Sequence, residues 1–109
     1  MRTKNIELKR YKLALDEQLV RELTTIGIVE NVTDLSRKLG KNDSYYFCMK
    51  NRGYSIHLGR LVFLAAKLSN ELNASTNVRE RAKLRSALAA VNETIQAKCR
   101  LREQELLRQ

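Results

Sequence analysis

No proline interrupts the 109 residues of this chain, and glycine occurs at only four positions. A proline inside a helix removes a hydrogen bond and clashes with the preceding turn, so its absence leaves long helices unopposed. The rest of the sequence runs heavily to Leu, Ala, Lys, Arg, Glu and Gln, residues that lose little on entering a helix. With 43% hydrophobic residues, the chain is expected to fold rather than stay disordered. The expected fold is all-α with about five helices: a central pair of short helices between long N- and C-terminal ones. A first unit over 1–74 and a C-terminal helix over 75–109 are the expected divisions.

From about Asn5 to Ile26, Leu8, Tyr11, Leu15, Leu19 and Leu23 recur every three or four residues, one face of an amphipathic helix. Gly27 suits its C-terminal cap. After the connection "IGIVENVT", Thr33 is the expected N-cap of a short helix through Leu39, with Asp34 at its positive end. Gly40 stops that helix. Asn42, Asp43 and Ser44 make a polar corner, from which Asp43 or Ser44 caps a second short helix over 44–52, closed by Gly53. Residues 56–72 are apolar or small nearly all round, which predicts a buried helix at the back of the core. Asn77, with Glu80 three residues on, starts the last helix.

In that last helix Leu84, Leu88, Val91, Ile95, Cys99, Arg102 and Leu106 recur at a mean step of about 3.7 residues, a narrow seam. Flanks as charged as "RERAKLR" and "KCRLREQE" argue for a seam facing a second copy of the chain. Oligomerisation through Leu84, Leu88, Val91, Ile95, Cys99 and Leu106 is therefore expected, with packing inside one chain as the alternative.

Charge is the strongest global signal. Lys and Arg number 21 against 12 Asp and Glu, a net +9 that attracts polyanions. The excess lies in residues 1–13, 30–60 and 77–109, while 14–29 is acidic. No apolar run approaches the roughly 20 residues that span a bilayer, and no apolar stretch follows the basic start as in a secretory signal. Cys48 and Cys99 lack metal-ligand spacing, and His57 has no neighbouring ligand and no assigned role. Two isolated thiols fit a reducing cytoplasm. Neither a Gly-rich phosphate loop nor a nucleophile beside a histidine occurs, so no enzyme, cofactor, metal or small-molecule ligand is expected.

Four of the six aromatic residues fall between Tyr45 and Tyr54. Tyr45, Tyr46 and Phe47 are consecutive and cannot all face inward on a helix, so an exposed aromatic is expected there. Leu35 and Leu39 face one way, Tyr46 and Met49 point back at them, and Gly40 permits the reversal between. The stretch "LSRKLGKNDSYYFCMKNRG", followed by "YSIHLGRLVFLAAKL", resembles the helix-turn-helix of the lambda-repressor-like (Cro/C1-type) DNA-binding proteins. Ser36 takes the family's small position, Leu39 and Gly40 its leucine and glycine, Tyr46 its aliphatic position and Met49 the next core position. The likeness covers about Val32 to Leu68. Lys41 stands where the family usually has an apolar residue, Tyr46 is bulkier than Ile or Val, and one extra residue precedes Gly53.

The resemblance implies a sequence-specific regulator of phage or mobile-element type, a repressor or activator that holds duplex DNA as a homodimer, with a tetramer as the larger assembly. Its second short helix would lie in the major groove. Base readers would be Asp43, Ser44, Tyr45, Phe47, Cys48 and Asn51. Asp43 would accept from a cytosine amino group, and Phe47 or Tyr45 would pack on a thymine methyl. Arg37, Lys38, Lys41, Lys50, Arg52 and Arg60 would meet phosphates. The basic arm "MRTKNIELKRYK" is either a further phosphate or minor-groove contact or a solvated helix face. Two rivals are an RNA-binding protein that stacks bases on Tyr45, Tyr46 or Tyr54, and a mobile-element protein that docks a host partner through its long helices. The corner itself can also be an ordinary helical hairpin.

Overall fold

The computed structural model describes residues 2–107, with side chains from Glu7 onward. It is all-α and holds five helices: α1 (Arg2–Ile26), α2 (Val32–Lys38), α3 (Tyr45–Asn51), α4 (Leu58–Ala74) and α5 (Val78–Leu107). The two long helices α1 and α5 run antiparallel. Lys12 pairs with Glu105 near one end and Asp16 with Lys98 further along, while Arg21 to Ile26 face Ser86 to Glu93 at the other end. The second partner of α5 is α4, reached through a short turn that Arg81 closes by donating to the carbonyls of Leu72 and Ser75. The small α2–α3 unit completes the molecule.

One core joins all of these. It takes Leu19 and Leu23 from α1, Val29, Leu35 and Leu39 from around α2, and Tyr46 from α3. Ile56, Leu61, Leu64 and Leu68 come from α4 and its approach, and Leu84, Ala87, Ala90 and Val91 from α5. Each fully buried leucine contributes roughly 1.5–3 kcal/mol of transfer free energy. Because α5 shares this core, the boundary expected near residue 74 falls on a tight turn between packed helices.

Several expectations need correction. The buried stripe of α5 is Leu84, Ala87, Val91, Thr94, Lys98 and Leu101, which alternates steps of three and four. The apolar seam read from the sequence drifts off it. Leu84 and Val91 are in the core, Leu88 and Ile95 are half-buried against it, and Cys99 and Leu106 are exposed. Those first four residues thus serve packing inside the chain and do not form a free oligomerisation face. The drift arises because two polar residues, Thr94 and Lys98, occupy the inward positions. Nor is α4 buried all round: Leu61, Leu64 and Leu68 face inward, but Val62 is 54% exposed and Phe63 is also on the surface. Finally, the N-cap of α2 is Asn31 and not Thr33. The Asn31 side chain accepts from the Asp34 N–H, and the Asp34 carboxylate accepts from the Glu30 N–H. The asparagine cap lets Val32 and Thr33 begin the helix.

Lys98 is 4% exposed, and its ammonium lies 2.5 Å from Asp16 Oδ1. Burial pushes the Asp16 carboxyl up, against the pull of Lys98; burial also pushes the Lys98 ammonium down, against the pull of Asp16. Burial thus opposes the charged form of both groups, and a buried ion pair of this kind is by itself weak evidence of stabilisation. Its contribution lies in what else it holds. Asp16 Oδ2 accepts from the Ile56 N–H at 2.8 Å, and Lys98 donates to the Ile56 carbonyl at 2.8 Å and to Ser55 Oγ at 3.3 Å. Ile56 is buried in irregular chain, where its backbone groups need partners.

Lys98→Ala strands the Asp16 charge and should cost about 3–5 kcal/mol in urea unfolding. An isolated buried pair can be replaced by apolar residues at little cost. Here Asp16→Leu with Lys98→Met should stay destabilised, because two buried Ile56 groups lose their partners at roughly 1–3 kcal/mol each.

Candidate nucleic-acid interface

The corner between α2 and α3 is built by local chemistry. At the end of α2 the Lys41 N–H donates to the Ser36 carbonyl at 3.0 Å and the Gly40 N–H to the Arg37 carbonyl at 2.9 Å. These are the two bonds of a Schellman closure, with Gly40 in the left-handed region at φ +77°. The same closure ends α1 at Gly27 and α3 at Gly53. Space also favours glycine at position 40: an added Cβ would lie 3.0 Å from the Phe63 ring and 3.3 Å from Arg60 Nη1.

Ser36 explains why a small residue belongs at the crossing. It is wholly buried, its hydroxyl donates to the Val32 carbonyl at 2.9 Å, and its Oγ accepts from the Tyr46 N–H at 3.1 Å. It therefore satisfies an amide in the first turn of α3 that no intrahelical carbonyl can reach. Leu35 and Leu39 are buried beside it, and Met49 is half-buried against the core.

With that side inward, the opposite side of α3 faces solvent. Tyr46 is 7% exposed and Phe47 61%, which separates the aromatic run into a core residue and a surface one, with Tyr45 between. Asp43, Ser44, Phe47, Cys48 and Asn51 are all exposed, so five of the six base-reading candidates share an open surface and Tyr45 borders it. Ser44 is the N-cap residue of α3 but makes no side-chain cap bond there; its hydroxyl bonds Asn42 instead. Buried Tyr46 cannot stack a base, which removes one platform from the RNA-binding alternative.

The basic candidates divide by what they already touch. Arg37 makes a two-bond pair with Asp43 at 2.7 and 2.9 Å. Lys38 lies 3.6 Å from Asp34, and Lys50 lies 3.3 Å from Glu17 of α1. Arg60 stacks on Phe63, and Lys41 lies over the Tyr45 ring. Among the described residues Lys41, Arg52 and Arg60 make no ion pair, and of these Lys41 and Arg52 are exposed while Arg60 is half-buried, so Lys41 and Arg52 are the most available to phosphate. Arg2 and Lys4 of the N-terminal arm have side chains outside the described residues.

The electrostatics follow these contacts. The hydrogen bond from Arg37, with its charge, holds the Asp43 carboxyl below the usual carboxylate range; the same hydrogen bond raises the Arg37 guanidinium. Burial raises the Tyr45 phenol, and burial together with the charges of Asp16 and Glu17 pushes the Tyr46 phenol up to about 12.

Among the described residues no three His, Cys, Asp or Glu side chains come together as a metal site, and no helix is long and apolar enough to cross a membrane. Sequence reasoning missed Asp16 and Lys98, which fix the chain just after α3. No protein-family model, curated protein or solved structure matches the chain.

Two stability measurements test this geometry. Gly40→Ala should cost roughly 1–2 kcal/mol for the left-handed backbone alone, and more if Phe63 cannot move. Tyr46 holds its proton more tightly folded than unfolded, so its contribution is complete below the ordinary phenol range and is lost as pH rises toward about 12. Urea unfolding at rising alkaline pH should show that loss, and Tyr46→Phe should reduce it, leaving the part that Tyr45, whose phenol is also raised by burial, contributes.

Proposed function

We propose that this chain is a sequence-specific, DNA-binding transcriptional regulator that lays α3 in the major groove and acts as a homodimer in the cytoplasm. The observation that carries this reading is the α2–α3 corner: a glycine-closed turn, a buried serine at the crossing, and an exposed outer side of α3. That arrangement holds a short helix rigidly by one face and offers the other to a groove. The positions that match the lambda-repressor-like pattern support it: Ser36, Leu39 and Tyr46 are buried, Met49 is half-buried against the core, and Gly40 closes the turn in the left-handed region. Asp43, Ser44, Phe47, Cys48 and Asn51, with Tyr45 at their border, are the groove-facing residues of this reading. Lys41 and Arg52 flank them, and a net +9 supplies the attraction to a polyanion. Paired half-sites about 10 base pairs apart, or a multiple of that, are the expected operator geometry for a dimer.

Fluorescence anisotropy over a salt series, on duplexes selected from the native locus, tests the reading. Lys41→Ala and Arg52→Ala should weaken every duplex alike and each lower the salt slope by about one. Phe47→Ala should instead change which sequences are preferred. Equal affinity for native fragments and random duplex at moderate salt overturns the proposal, and sedimentation of the free protein tests the dimer.

A further inference from the structure

Asp43 is a surprising residue for a surface that approaches DNA. It sits in the turn ahead of α3, where a carboxylate is repelled by phosphates, and in isolation it weakens binding to every sequence alike. In the structure it is not isolated. Arg37, in the last turn of α2, meets it side-on, with Nε 2.7 Å from Oδ1 and Nη2 2.9 Å from Oδ2, while the two side chains keep 63% and 59% of their surface exposed. An exposed pair of this kind adds little to stability. What it does is orient a guanidinium that would otherwise sample many rotamers.

The remaining hydrogen-bonding capacity is specific. A guanidinium has five N–H donors, and two are spent on Asp43. Two of the other three lie on the edge shared by Nη1 and Nη2, the spacing that matches O6 and N7 of guanine. Each Asp43 oxygen keeps a lone pair. The rim of the pair therefore offers donors beside an acceptor. In the major groove a G·C pair offers two acceptors on guanine beside the amino donor of cytosine. Arg37, its charge offset by Asp43, is a weakened phosphate contact; Lys41 and Arg52 are better placed for that.

We propose that Arg37 and Asp43 act as one unit that recognises a single G·C base pair, Arg37 on the guanine edge and Asp43 accepting from the cytosine amino group. This rests on the assignment of α3 as a reading helix.

The test uses the full chain and duplexes selected from a random pool with the wild-type protein. Affinities are then measured for the selected site and for that site changed at each position. Arg37→Ala and Asp43→Ala should each reduce discrimination for G·C at the same position by about tenfold or more. The double substitution should be no worse than the more damaging single one. Arg37→Lys, which keeps the charge but loses the fork, should behave like Arg37→Ala. Thermal unfolding of each variant confirms that it folds. A uniform loss over all duplexes with Arg37→Lys unaffected overturns the proposal in favour of a phosphate contact. Uniform tightening by Asp43→Ala overturns it as well, because the carboxylate then only repels. A wild-type preference that survives all three substitutions defeats the pair and leaves the reading helix standing. A wild-type protein without any preference defeats both.

Discussion

The buried pair of Asp16 and Lys98 is the constraint on which the rest of the molecule depends. It joins α1 to α5 and, through both backbone groups of Ile56, holds the irregular chain between α3 and α4 against them. That chain is the exit from the α2–α3 unit. An apolar side chain at either position would fill space without meeting the amide and carbonyl of a buried, non-helical residue. Asp16 and Lys98 satisfy them, which is a contribution that the ion pair makes beyond its own attraction. The role is one of specificity: it selects one path for the chain into the core among the many that a helical scaffold allows.

From that anchored exit the corner can be read outward. Gly53 closes α3 two residues before Ser55, and Ile56 follows as a core residue. The entry side is fixed by Gly40 and Ser36, so α3 is held at both ends by backbone geometry and along one side by Tyr46 and Met49. The reading role proposed for α3 would need this kind of support, because a base contact misplaced by an ångström is lost. Lys50 adds a tie to Glu17 on α1. The outer side of α3 is thus exposed because every other side is already engaged.

How much of this was legible in the sequence depended on the range of each interaction. The packing of the corner was readable, since its glycine and its inward side chains, Leu35, Ser36, Leu39, Tyr46 and Met49, lie within 15 positions of one another. The five helices and their all-α class were equally legible from periodicity and the missing proline. Asp16 and Lys98 were not, because a lone charge on a helix reads as solvated until its partner, 82 positions away, is seen to face it. The same substitution of polar for apolar residues hid the register of α5. A pattern search seeking leucine at every inward position slides to Leu88, Ile95 and Cys99 when Thr94 and Lys98 hold the true stripe. Asn31 and Thr33 are both capping residue types two positions apart, and only the bond from the Asp34 amide to the Asn31 side chain distinguishes them.

The chain therefore uses the pairing of a basic residue with an aspartate in two environments, with opposite consequences. In the core, Asp16 and Lys98 have little water, and the full hydrogen-bonding capacity of the site must be met within the protein. At the corner, Arg37 and Asp43 keep most of their surface in water, so breaking their pair costs little and forming it gains little. The pair itself then adds little stability, although an aspartate just before α3 also suits the positive end of that helix. The spacing of Arg37 and Asp43 across a glycine-closed turn fixes donors beside an acceptor on an open surface, something neither side chain provides alone. Rigid support beneath and an ordered polar edge above are what the proposed groove reading would require of a helical corner, beyond what packing alone requires.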